Sequence, residues 1–162
     1  MGGLRVLLAG LAVAALLTGC AAPRAPMAGA QANHWQGRLS LRIDSEPVQS
    51  LSAGFELLGT ESSGELTLFT PLGSTAAVLT WTPEAATLAS QGEVKKFPSF
   101  KAMVRHAVGA DLPVAAVFSW LAGRPADDAG WSADLSGHPA RITARRASPG
   151  PVTELRLIMN QP

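Results

Sequence analysis

The sequence is poor in the residues on which many proteins depend for cross-links and surface charge. Its 162 residues include a single cysteine, and Lys, Arg, Asp and Glu together make up only 15% of the chain. One cysteine excludes a disulfide within the chain, so the folded part must be stable through packing alone. Beyond Cys20 no apolar run approaches the roughly 20 residues that a membrane-spanning helix needs, and no transmembrane segment is predicted.

The few charges also balance. The chain carries 13 basic and 12 acidic residues, and Arg5 is the only charged residue among the first 19. Without that leader the count becomes 12 basic against 12 acidic. A neutral chain lacks the concentrated positive field that nucleic acids require, and it offers no polybasic patch for a membrane surface. The charge balance therefore argues against a nucleic-acid partner.

Motifs for catalysis, metal binding and cofactor binding are missing as well. The three histidines have no neighbours at metal-ligand spacing, and no G-x-S-x-G occurs. The glycines of Gly59–Gly64 have the spacing of a P-loop, but the Lys that contacts phosphates is absent, so the segment is interpreted as a hairpin turn. Asp127 and Asp128 are interpreted as part of a solvated loop, and His106 as a surface residue. We predict no enzyme, no metal ion and no cofactor.

The N-terminus carries the clearest positive signal. A short basic start precedes the apolar run Val6 to Leu17, which the small pair Thr18-Gly19 separates from Cys20. This order predicts a lipoprotein signal peptide over residues 1–19, with lipid attached to Cys20 after cleavage. The alternative is an ordinary secretory signal followed by an incidental cysteine. Ala21, where an Asp would favour retention at the inner membrane, favours the outer membrane.

The rest of the chain divides into a tether and one domain. Residues 20–33 are rich in Ala, Pro and Gly and have little to bury, which predicts a lipidated flexible tether. The folded domain is expected to span residues 34–162. The first strand illustrates its pattern, because apolar residues alternate strictly with polar ones from Trp35 to Ile43. Alternation of this kind predicts strands at Trp35–Ile43, Leu51–Leu57, Glu65–Thr70, Ala76–Thr82, Ala85–Ser90, Trp131–Leu135, Ala140–Arg146 and Glu154–Met159.

The period changes in the middle of the domain. Phe100, Met103 and Val104 begin a stripe at helical spacing, with Ser99 as N-cap and Gly109 as the stop. A second helix is predicted between Pro113 and Gly123. The expected fold is therefore mainly β with helices (α+β), a curved antiparallel sheet with helices on one face. Two short helices cover only part of that face, and the remainder is expected to form an apolar cavity.

Several segments resemble the outer-membrane lipoprotein receptor LolB family. The segments that carry the resemblance span nearly the whole mature chain. The most specific are the segment that begins at Thr70 and the segment that begins at Trp120. They are Trp35-Gln-Gly-Arg-Leu-Ser-Leu, Gly64-Glu-Leu-Thr-Leu, Thr70-Pro-Leu-Gly-Ser-Thr75, Leu112-Pro-Val and Trp120-Leu-Ala-Gly-Arg-Pro125, together with Phe55-Glu-Leu and the cysteine signal. The C-terminal segment, residues 146–162, is shorter than the corresponding segment of some family members. The sequence therefore leaves the pairing of the last strands open.

The resemblance implies a fold and a function. It implies an incomplete, strongly curved antiparallel β-barrel with a short-helix lid, whose cavity accepts the acyl chains of cargo lipoproteins. It also implies delivery by the periplasmic carrier LolA, insertion into outer-membrane lipid, and a lipid-anchored position at the outer membrane facing the periplasm. A leucine in a protruding loop, which matches Leu72 between Pro71 and Gly73, is linked to membrane insertion. A monomer is expected.

The apolar strand and helix faces have two interpretations. For any single residue, plain core packing is the more frequent role. A subset is expected to line the cavity, and Met103 is included because Met adapts to varied apolar partners. The candidates are Trp35, Leu39, Leu41, Phe55, Leu66, Leu68, Met103, Phe118 and Trp120. Two other functions stay open, a generic lipid- or ligand-binding lipoprotein without a carrier and a structural outer-membrane lipoprotein with a filled core.

Overall fold

A computed structural model describes residues 33–160 of the chain. The predicted signal peptide, Cys20 and the predicted tether up to Ala32 lie outside the described residues. No helix within residues 33–160 is both long enough and apolar enough to cross a membrane.

The domain is built on one antiparallel sheet. Its strands follow the order β6-β5-β4-β3-β2-β1-β9-β8-β7, so that β6 and β7 are the two edges and the sheet does not close on itself. Strong curvature makes it an incomplete barrel, which confirms the expected fold class. The strands are β1 Asn33–Ile43, β2 Gln49–Gly59, β3 Gly64–Phe69, β4 Thr75–Trp81, β5 Ala86–Ser90, β6 Glu93–Phe97, β7 Trp131–Asp134, β8 Arg141–Arg146 and β9 Thr153–Met159.

Because side chains alternate between the two faces of a strand, every second side chain lies on the concave face of the sheet. In β1, Leu41 and Ile43 are each 5% exposed, whereas Arg42 between them is exposed. Leu41 pairs with Leu51 of β2 on one side and with Leu155 of β9 on the other. The register thus gathers leucines from neighbouring strands into one apolar surface. It also settles the pairing of the last strands, since β9 lies beside β1 and β8 continues the sheet.

Two helices lie over the concave face, α1 at Phe100–Val108 and α2 at Val114–Leu121. The predicted caps of α1 are confirmed. The Ser99 hydroxyl accepts a 3.2 Å hydrogen bond from the Ala102 N–H, and Gly109 has a φ of 73°, where its N–H donates to the Arg105 carbonyl. Gly123 has a φ of 72° just after α2, as expected for the residue that ends a helix. At nine and eight residues, both helices are only about two turns long.

One strand, β6, was not predicted. Val94, Lys95 and Lys96 are all exposed, so the segment lacks the buried alternation by which the other strands are recognised. A tight turn produces it instead, because Gln91 and Gly92 have φ values of 52° and 81°, the pair of positive angles that a two-residue hairpin requires. Exposed lysines are common on edge strands, where they discourage pairing with another chain.

Tryptophans hold the helices to the sheet. Trp120 of α2 is completely buried, its Nε1 donates a 2.9 Å hydrogen bond to the Ala126 carbonyl, and its ring lies 6.5 Å from that of Trp131. Trp81 of β4 stacks on Phe100 of α1 with ring centroids 4.0 Å apart. These contacts fix both helices above the sheet without filling the space between them.

Trp120→Ala is expected to lower the free energy of unfolding by about 3–5 kcal/mol, because the change removes a fully buried ring and leaves a cavity. Urea denaturation followed by circular dichroism measures the loss. Trp35→Ala is the matched control, since the Trp35 side chain is only half-buried and should cost clearly less. Equal losses for the two variants would contradict the placement of Trp120 in the core.

Candidate functional site

A cavity of about 500 Å³ lies between the concave face of the sheet and the two helices. Leu57, Leu66, Leu79 and Leu88 lie side by side on four consecutive strands and form one wall. The helices and β9 supply further lining residues. Their lining residues are Phe100, Val104, His106, Ala107, Val108, Val114, Val117, Phe118, Leu121, Leu155 and Leu157. This volume falls within the range of pockets that enclose a small organic ligand.

The lining is almost entirely hydrocarbon. Apart from Ser90 and His106, each side chain that faces the cavity belongs to Leu, Ala, Val or Phe. Asp134, a carboxyl group with a lowered pKa, lies elsewhere, on an exposed position of β7. There the backbone N–H of Ser136 donates a 2.9 Å hydrogen bond to Asp134 Oδ1 and lowers the pKa of that carboxyl. Within residues 33–160 no group of His, Cys, Asp and Glu could hold a metal ion. The chemistry of this lining suits an apolar ligand, and its side chains include no carboxylate.

The helices are too short to fill the space they cover. Protein interiors are normally packed to the density of organic crystals, and an unfilled apolar void costs stability. Here two helices of nine and eight residues lie over a sheet of nine strands. The leucines beneath them face open space, so an apolar ligand could enter without displacing ordered polar contacts.

The cavity opens at one end of the sheet. Its exposed lining residues are Leu51 near the start of β2, Ala76 near the start of β4, and His106 and Ala107 in the last turn of α1. Because neighbouring strands are antiparallel, the starts of β2 and β4 lie at the same end as the last residue of β5, Ser90. We call this end the mouth.

The turn between β3 and β4 projects from the mouth end. The Thr70 N–H donates to the Ser74 carbonyl at 2.8 Å, and the Gly73 N–H donates to the Thr70 carbonyl at 2.9 Å. Gly73 has a φ of 84°, a conformation that favours glycine. At the tip of this turn the Leu72 side chain is 96% exposed, which confirms the expected protrusion. A leucine held fully in water by a hydrogen-bonded turn suggests a contact surface.

The structure places six of the nine cavity candidates on the lining and three elsewhere. Met103 and Trp120 are completely buried in the surrounding protein. Trp35 packs edge-on against Phe118, with ring centroids 5.9 Å apart. Large side chains on an apolar face are often core residues, and the sequence could not separate these three from the lining. The six that line the cavity are Leu39, Leu41, Phe55, Leu66, Leu68 and Phe118.

Several lining residues were not among the candidates. Leu57, Leu79, Leu88 and Leu157 follow the same alternation as the candidates on their strands, and that signal could have found them. Val117 lies in the second helix, which was predicted without a cavity role for this residue. His106 is exposed, as expected for a surface residue, but it also lines the mouth of the cavity.

Comparison with known proteins identifies the family. The family model described as "Outer membrane lipoprotein LolB" matches residues 32–161. The chain is 33% identical to the outer-membrane lipoprotein LolB of Bordetella petrii, over 91% of this chain and 88% of that one. It is 30% identical to the LolB of Bordetella pertussis over the same shares, and 32% identical to that of Cupriavidus pinatubonensis over 71% of this chain and 52% of the relative. The chain therefore belongs to the LolB family of outer-membrane lipoproteins, which are lipoprotein-localisation factors and not enzymes.

Proposed function

We propose that this protein receives acylated lipoproteins from the periplasmic carrier LolA and inserts them into the outer membrane by passing their acyl chains from cavity to cavity. The observation that supports the proposal most strongly is the apolar cavity of about 500 Å³, whose mouth lies at the same end of the sheet as the exposed Leu72. A transfer of this kind breaks no covalent bond. It therefore needs no nucleophile, metal ion or nucleotide.

The free energy of acyl chains in water explains why a receptor with a cavity is useful. Each CH₂ group removed from water contributes about 0.8 kcal/mol, so a long acyl chain crosses water far too slowly to be delivered unaided. A cavity that meets the carrier mouth to mouth would keep the chain in apolar surroundings throughout. The transfer has a direction if this protein binds the acyl chain more tightly than the carrier does, and the bilayer binds it most tightly.

The sequence before the domain suits delivery at a membrane. Asn33, where β1 begins, pairs with Gly59 at the end of β2, so β1 begins at the end of the sheet opposite the mouth. The 13 residues from Cys20 to Ala32 can extend over about 43–47 Å, whereas the 11 residues of β1 span about 36 Å. A chain anchored through Cys20 therefore has enough reach for its mouth to face the membrane.

Lipid on Cys20 and the side chain of Leu72 would have separate roles. One exposed leucine that enters lipid gains roughly 1.5–3 kcal/mol, whereas acyl chains gain about 0.8 kcal/mol for each CH₂. Leu72 is thus too weak to anchor the protein. Its proposed role is local, to disturb the bilayer surface where a cargo chain leaves the cavity.

The test uses a Cys20→Ala chain exported by an ordinary secretory signal. Purified LolA loaded with an acylated lipoprotein is mixed with this chain, and the cargo on each protein is measured after separation. We expect the Cys20→Ala chain to take cargo from the carrier, because acceptance depends on the cavity and not on the anchor. In the presence of vesicles it should deliver that cargo without preference for outer-membrane lipid.

A second measurement, binding of a free fluorescent acyl probe to the same Cys20→Ala chain, separates the proposal from its alternatives. A chain that binds free acyl probes but takes no cargo from LolA would be a lipid-binding lipoprotein with no carrier partner. A chain that binds neither would be a structural lipoprotein. Either result would overturn the proposed transfer.

A further inference from the structure

The cavity lining contains two side chains that can form hydrogen bonds, Ser90 and His106. They come from different elements, Ser90 from the last residue of β5 and His106 from the last turn of α1. Ser90 lies at the mouth end of β5, His106 is an exposed lining residue, and the other lining side chains are hydrocarbon. A ligand inside this cavity meets side-chain hydrogen-bonding groups only where it enters.

Both groups are free to bind a ligand. Within residues 33–160 the histidine rings that form hydrogen bonds are His34, with Glu56, and His138, with the Leu121 carbonyl. The His106 ring instead lies 5.1 Å from the Phe97 ring, at an angle of 46° to it. Ser90 likewise has no side-chain partner among these residues.

We propose that Ser90 and His106 form a head-group subsite, which binds the ester or amide carbonyl that joins an acyl chain to its head group. This inference rests on the proposed function, since it assumes that acyl chains occupy the cavity. A serine hydroxyl donates one hydrogen bond, and a neutral imidazole donates one from its protonated nitrogen. A carbonyl oxygen accepts two hydrogen bonds, so one carbonyl oxygen matches the two donors.

The position of the subsite follows from the chemistry of the ligand. Each methylene that enters the cavity makes binding more favourable. A carbonyl that is buried without a hydrogen bond makes binding less favourable. A chain should therefore slide inward until its carbonyl reaches the mouth, and stop there. The subsite would set how deeply the chain enters and would favour acyl esters and amides over plain alkyl chains.

The test compares two ligands that differ at the carbonyl. Glyceryl monolaurate is an ester, and glyceryl monododecyl ether has the same head and nearly the same chain without the carbonyl. Each displaces a fluorescent acyl probe from the Cys20→Ala chain. We expect the ester to bind about 3- to 10-fold more tightly than the ether, the range that one net hydrogen bond supplies.

His106→Leu and Ser90→Ala should each reduce the ratio of ester affinity to ether affinity. Arg105→Leu is the matched control, because Arg105 is exposed on the same helix and does not line the cavity. An ester preference that survives both variants, or that is absent from the parent chain, would overturn the subsite. If the parent chain binds neither ligand, the proposed function fails as well.

Acyl ester carbonyls occur both in lipoproteins and in phospholipids, so two further ligands identify the source. A synthetic diacyl lipopeptide and a short-chain phosphatidylglycerol are compared in the same displacement assay. We expect the lipopeptide to lose affinity in the His106→Leu variant. A loss confined to the phospholipid would overturn the assignment of this subsite to cargo.

Discussion

Replacing Leu72 by Glu is expected to slow the delivery of cargo to membrane by at least about tenfold. The side chain is 96% exposed at the tip of a hydrogen-bonded turn, so it contributes little packing to residues 33–160. Loss of the roughly 1.5–3 kcal/mol that a leucine gains in lipid corresponds to a factor of about 10 or more, and a carboxylate is repelled from the apolar layer as well. The measurement is the rate at which a labelled lipoprotein moves from this protein into vesicles.

The interpretation requires that binding itself is unchanged. Acyl-probe affinity and the free energy of unfolding should both stay at their parent values in Leu72→Glu. Ile158→Glu is the matched control, because Ile158 is also an exposed apolar residue, at 54%, but lies near the end of β9 away from the mouth. If Leu72→Glu delivers cargo as fast as Ile158→Glu, the role assigned to this turn is wrong.

Closing the mouth is expected to have the second large effect. Ala107→Trp places an indole at an exposed position of α1 that lines the cavity entrance. The bulky ring should block entry and weaken binding of a fluorescent acyl probe by more than about tenfold, since several methylenes would lose their apolar contacts at about 0.8 kcal/mol each. Fluorescence titration of the Cys20→Ala chain measures the change.

Ala115→Trp is the control for the added ring. Ala115 is an exposed alanine on α2 and does not line the cavity, so this variant should bind the probe like the parent chain. Unchanged binding in Ala107→Trp, with the chain still folded, would show that acyl chains enter elsewhere or not at all.

Much of the fold could be predicted because its elements are strongly patterned. Strict alternation in Trp35–Ile43 and in its neighbours marks half-buried strands, and the register then places their leucines on one face. Ser99 and Gly109 mark the two ends of α1 through local backbone chemistry that requires no tertiary information. The protruding position of Leu72 was expected from the resemblance more than from the local sequence.

The remaining features depend on three-dimensional packing. The strand Glu93–Phe97 is held by a hairpin turn and by pairing with β5, and its exposed side chains carry no periodic signal. Met103 and Val104 are adjacent on one helix, yet Val104 lines the cavity and Met103 is enclosed by protein. Such a distinction follows from how α1 rests on the sheet, and no pattern of apolar residues contains it.

The central claim is that acyl chains occupy this cavity, and photo-crosslinking tests it directly. A lipoprotein whose acyl chains carry a diazirine is bound to the Cys20→Ala chain, irradiated, and the modified residues are located by mass spectrometry. We predict modification of wall residues such as Leu57, Leu79 and Val117. Modification confined to exposed apolar residues outside the cavity, such as Val94 and Ile158, would contradict the account.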